Sequence, residues 1–69
     1  MKTYHIRKIT NGKPGDYLVD PPSQYNRLGI WVRDTEGAME YGKKEGKEAR
    51  NEIYTTNNIQ TRLERISEI

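Results

Sequence analysis

Apolar and polar positions alternate through KTYHIRKI, residues 2–9, so that Tyr4 and Ile6 fall on one side and Thr3, His5 and Arg7 on the other. That is the period of a half-buried strand. TNGKPGD follows with Asn-Gly and Pro-Gly turn chemistry, and YLVD at 17–20 is a short run of strand formers stopped by Pro21 and Pro22. A hairpin is expected. Beyond the polar SQYNR, LGIWVRD at 28–34 alternates again. Leu28, Ile30 and Val32 share a side and outnumber the single Trp31, which predicts that they face the core and that Trp31 and Arg33 point away.

A helix start follows. Asp34 or Thr35 can cap, Glu36 suits the positive end of the helix dipole, and EGAMEYGKKEGKEARNE runs on without proline. Ala38, Gly42, Gly46 and Ala49 then form a stripe of small residues, which predicts close packing of helix on sheet. EIYTTNNIQTRLERI reads as two strands around Asn57-Asn58, because Ile53 to Thr56 are β-formers and Ile59, Thr61 and Leu63 alternate with Gln60, Arg62 and Glu64. A second helix, with Ile59, Leu63 and Ile66 on one face, is the alternative for this end.

The expected architecture is α+β: one domain over 1–69, with one helix on one face of an antiparallel sheet in the order βββαββ. Its core is Tyr4, Ile6, Leu28, Ile30, Val32, Ile53 and Leu63. This layout, with VRDTEGAMEYGKKEGKEA opening the helix and EIYTT and IQTRLERI after it, resembles small bacterial and phage families in which one helix covers an antiparallel sheet. Some of those are phage-encoded inhibitors, including certain anti-CRISPR proteins, and the resemblance implies a binder of a larger target with no shared catalytic motif. The basic front half is also similar to the three-stranded sheet plus helix of integrase-type DNA-binding domains, which implies a sheet that enters the major groove.

Composition narrows the class. With 69 residues, 32% of them hydrophobic and no Phe, the core is thin and a deep pocket is not expected. The absence of cysteine removes disulfides and Cys-based zinc sites and suits a reducing cytoplasm, the host's if the chain is phage-encoded. No stretch approaches the roughly 20 apolar residues of a membrane span, so no membrane partner is expected. Residues 1–33 carry six Lys or Arg against two Asp, whereas residues 34–69 carry six against eight acidic residues.

Enzyme signatures are nearly absent. His5 is the single histidine, and only Ser23 and Ser67 could serve as hydroxyl nucleophiles of the serine type. GKPGD lacks the Lys-Ser/Thr ending of a phosphate-binding loop, and Asp16 and Asp20 lack calcium-loop spacing. No catalysis, cofactor, metal or small-molecule substrate is expected. What remains is the sheet face opposite the helix, predicted to collect His5, Arg7, Trp31, Arg33, Tyr54 and Arg62. Aromatic and guanidinium groups together suit a protein hot spot and equally suit stacking on bases and pairing with phosphates. A second basic patch, Lys43, Lys47 and Arg50, recurs at helical spacing on the outer face. The expected function is non-catalytic occupation of the surface of a larger protein or nucleoprotein, as a phage or mobile-element accessory inhibitor would do; DNA or RNA binding by the sheet face is the alternative.

Overall fold

In the computed structural model, which describes residues 4–66, the strands are β1 (Tyr4–Thr10), β2 (Lys13–Asp20), β3 (Ile30–Val32) and β4 (Thr61–Arg65), and the helix α1 (Lys43–Asn57) precedes β4. Lys2 and Thr3, at the start of the first expected strand, and residues 67–69 lie outside the described residues. The four strands form one antiparallel sheet in the order β3-β2-β1-β4. The first hairpin turns at Asn11 and Gly12, both at positive φ (52° and 76°), as a tight two-residue connection requires. No helix among the described residues is long and apolar enough to cross a membrane.

The register places Trp31 opposite Leu18 and Leu63 opposite Ile6, and pairs Arg7 with Tyr17 and Arg62. Directly paired residues share a face. One row across the sheet is therefore Trp31, Leu18, Ile6 and Leu63, and the opposite row is Val32, Tyr17, Arg7 and Arg62. The helix takes the first row. Ile6 and Leu18 are fully buried, Ile53 and Tyr41 complete the core, and Trp31, Ala49, Ile59 and Leu63 pack against it. Gly46 lets α1 lie close to the sheet, because a Cβ there would stand 2.6 Å from Leu63 Cδ2.

This reverses the expected facing of β3. Leu28 is not in the strand: Gly29 adopts φ +74°, and a Cβ there would lie 2.8 Å from the Asp20 carbonyl oxygen. Alternation cannot be counted through such a residue. With Leu28 removed from the count, the indole is a larger apolar surface than either neighbour alone. Trp31 turns inward, its Nε1 donating to Leu28 O at 2.6 Å, while Leu28 is 71% and Ile30 45% exposed.

The helix also differs from expectation at both ends. It starts at Lys43 rather than near Asp34, with Gly42 as an N-cap that makes no side-chain bond. Upstream, Gly37 sits at φ +80°, and Tyr41 is held in an isolated antiparallel bridge with Tyr4 through two backbone bonds of 2.9 and 2.8 Å. A backbone engaged that way cannot turn helical. At the other end, EIYTT continues the helix instead of forming a strand. Ile53 extends the Gly46–Ala49 face into the core, and Thr55 Oγ1 donates back to Asn51 O at 2.9 Å, so the local β preference yields to packing. Asn58 takes the left-handed conformation as a helix C-cap, its N–H donating to Tyr54 O. One strand, β4, thus replaces the expected terminal hairpin.

Two substitutions check this arrangement by urea denaturation. Leu18→Ala is expected to lose about 2–5 kcal/mol and Leu28→Ala less than about 0.5 kcal/mol, the reverse of what an inward Leu28 would give. Gly29→Ala is expected to destabilise by more than about 1 kcal/mol, from left-handed backbone strain together with the close carbonyl contact.

Candidate binding surfaces

On the sheet face away from the helix, β1 contributes His5 and Arg7, β2 contributes Tyr17, and β4 contributes Arg62 and Glu64. Strand alternation alone puts them together once the register is set. Glu64 is their common acceptor: Arg7 Nη1 and Arg62 Nη2 donate to Oε2 at 3.2 and 3.1 Å, and Tyr17 Oη donates to Oε1 at 2.8 Å. Arg7 Nε also donates to Gly15 O at 2.8 Å, and its guanidinium lies 4.7 Å from the Tyr17 ring centroid. One carboxylate thereby separates two guanidinium groups that face each other across β1 and β4.

Desolvation pushes the Glu64 carboxyl up, but hydrogen bonds from Tyr17, Arg62 and Arg7 and the Arg7 charge outweigh it and leave its pKa below the ordinary value. The bond to Glu64 and burial raise the Tyr17 hydroxyl. Neither Tyr17 nor Glu64 was among the residues expected here. Glu64 shares strand parity with Arg62, which is the signal that would have found it; Tyr17 needed the register.

The six residues expected on this face separate. Arg7 and Arg62 are there, tied to Glu64. His5 is there but only 6% exposed, its Nδ1–H directed at Met39 O at 3.2 Å and its ring edge-on to Tyr17, so it supports the network and presents nothing outward. Trp31 lies on the helix side, with Lys8 Nζ 5.0 Å from its ring centroid. Tyr54 is on the helix, not on a strand, and Arg33 is exposed in the segment after β3. The expected platform of Trp31 and Tyr54 among arginines therefore does not form on this face, where the ring beside Arg7 is the buried Tyr17.

The second predicted patch does share one helix flank. Lys43 and Lys47 are exposed and in line with Arg50, and Arg50 reaches β4, its Nη2 donating to Thr61 O at 2.6 Å and its Nε to Thr61 Oγ1 at 3.3 Å. Comparison with family models, curated proteins and solved structures finds no significant match. The surfaces must be read from their own chemistry. Among the described residues no group of three or more His, Asp or Glu is placed to hold a metal ion.

A third surface was not anticipated. The loop from Pro21 to Gly29 is held by Ser23, whose N–H and carbonyl exchange bonds with Asn26 and whose Oγ accepts from the N–H groups of Tyr25 and Asn26. Asn57 Nδ2 fastens it to the helix end by donating to Arg27 O at 2.6 Å. On this pinned loop Tyr25 is 90% exposed.

Because the folded Glu64 pKa is depressed, the stability it adds is present above its unfolded pKa and is lost as pH falls through the lower folded value. Glu64→Gln is expected to cost about 1 kcal/mol at neutral pH, discounted for partial exposure. Urea midpoints of the two proteins, measured from pH 7 down to about 3, should converge at the acid end.

Proposed function

We propose that the chain works without catalysis as a small binding protein that occupies the surface of a larger protein or nucleoprotein, and that the Pro21–Gly29 loop with the start of β3 makes the contact. The observation that carries this reading is the outward placement of Tyr25, Leu28 and Ile30, at 90%, 71% and 45% exposure, in a chain with no Phe and few apolar residues to fill its core. Single exposed apolar residues are ordinary, but a cluster in one short segment marks an interaction surface.

The loop is also pre-organised. Its hydrogen bonds to Ser23, Asn26 and Asn57 fix the backbone before any partner arrives, which reduces the ordering cost of association. Tyrosine is a favoured hot-spot residue, presenting a large contact area on few rotatable bonds. The sheet face suits this role less well, since Glu64 holds both Arg7 and Arg62. A phage or mobile-element accessory inhibitor is the specific form of this proposal.

Immobilised wild-type chain and the double variant Tyr25→Ser/Leu28→Ser, compared for the proteins they retain from a bacterial lysate, provide the test. Both side chains are exposed, so the variant should keep the wild-type urea midpoint within about 0.5 kcal/mol and lose about tenfold or more in retention of a specific protein. Equal retention by both forms rejects the loop as the contact.

A further inference from the structure

Beside the basic flank of α1, a groove of about 540 Å³ opens against the start of β4. We propose that it binds single-stranded nucleic acid, with phosphates meeting Lys47 and Arg50 and a base stacking on Tyr54. This goes beyond the protein-contact reading and does not rest on it, since the groove and the Tyr25 loop share no residue.

The helix sequence segregates charge by flank. Lys43, Lys47, Arg50 and Tyr54 recur at steps of four, three and four, while Glu45, Glu48 and Glu52 fall on the opposite flank. A merely solvated helix would gain from interleaving the two signs; here, Lys44 apart, the cations share one side of the helix, and Lys47 and Arg50 line the groove. The stripe extends about 16 Å at the rise of an α-helix, longer than one phosphate group and suited to a strand running along it.

The lining matches that ligand in kind. Lys47, Arg50, Asn51, Tyr54 and Gln60 face the groove, and among the described residues no carboxylate lines it. Both ion pairs among the described residues end on Glu64, so neither cation of the groove is neutralised by one. Arg50 is fixed by Thr61 through Nε and Nη2, which holds the guanidinium plane in place for a phosphate or a base. Tyr54 is 52% exposed and offers a ring face; Asn51 and Gln60 add amide donors and acceptors for base edges and sugar. Cations along a backbone with an aromatic platform are the two components of sequence-tolerant strand binding.

The test is fluorescence anisotropy of labelled oligo(dT) and oligo(rU), ~12 nucleotides long, titrated with the full chain at several salt concentrations. Saturable binding of either is expected, with log K falling against log salt at a slope of about -2 for three cations on a single strand. Lys47→Gln should reduce the slope by about 0.7. Tyr54→Ala should weaken binding about tenfold at every salt concentration and leave the slope unchanged. Tyr25→Ser should bind as wild type, which separates failure here from failure of the protein-contact reading. Arg50 is left intact because it ties the helix to β4, and the urea midpoints of the other variants confirm folding. Absence of saturation at near-physiological salt, wild-type affinity in Tyr54→Ala, or competition by polyglutamate as effective as unlabelled oligonucleotide would each overturn the proposal.

Discussion

Two backbone hydrogen bonds between Tyr4 and Tyr41 determine much of what surrounds them. A third, from Met39 N–H to Leu18 O, draws the same segment against the end of β2. Residues 39–41 are thereby held as extended chain between the start of β1 and the end of β2. The helix can begin only after this engagement ends, at Gly42. Tyr41 enters the core beside Ile6 and Leu18, and the Met39 carbonyl comes to rest over the His5 ring nitrogen. A backbone contact thus decides which side chains are available on the sheet and which are enclosed.

The two faces of the sheet are stabilised by different physics. One row, Trp31 to Leu63, is apolar and gains from removal of area from water under the helix. The other is polar, and its order comes from charge-assisted bonds that converge on Glu64. The guanidinium groups of Arg7 and Arg62 on this face are in this way already engaged within the molecule. The surfaces proposed for partners lie elsewhere, on the pinned loop and on one flank of the helix.

Much of the fold was legible in the chain. Alternation located β1 and β4; Asn11-Gly12 marked the hairpin turn, although Pro14-Gly15, also read as turn, lies within β2; and Gly46 and Ala49 of the small-residue stripe marked the packed face of the helix, which Ala38 and Gly42 of that stripe precede. Three things were not, the first being the helix start, which the Tyr4–Tyr41 bridge moves from Asp34 to Lys43. Gly29 breaks the alternation of LGIWVRD by a backbone conformation that residue order does not display, which inverted the facing of Trp31. Ile53 to Thr56 carry a local β preference that burial of Ile53 overrides. The candidate sites followed these errors: Lys43, Lys47 and Arg50 are aligned as helical spacing requires, whereas the grouping of Trp31 and Tyr54 with the sheet arginines depended on the two elements that were misread. The Tyr25 loop was invisible because its exposure results from turn hydrogen bonds and the Asn57 tether, which are long-range facts.

The pairing of β4 with β1 has a consequence for how the chain acquires its structure on the ribosome. β1 is a central strand whose second neighbour, Thr61–Arg65, comes last among the elements in chain order, so the sheet stays incomplete until that stretch has left the exit tunnel. Before then β1 is paired on one side only, within a sheet of β3, β2 and β1 that lacks β4, and small open sheets are marginal in water. Ile6 and Leu18 lack their full cover, and the edge of β1 is open to other chains. At about 5–20 residues per second, synthesis of α1 and β4 leaves an interval of seconds in which that edge is unprotected. Arg7 and Lys8, two consecutive cations on β1, put like charge on both faces of that strand, which disfavours its pairing with another copy.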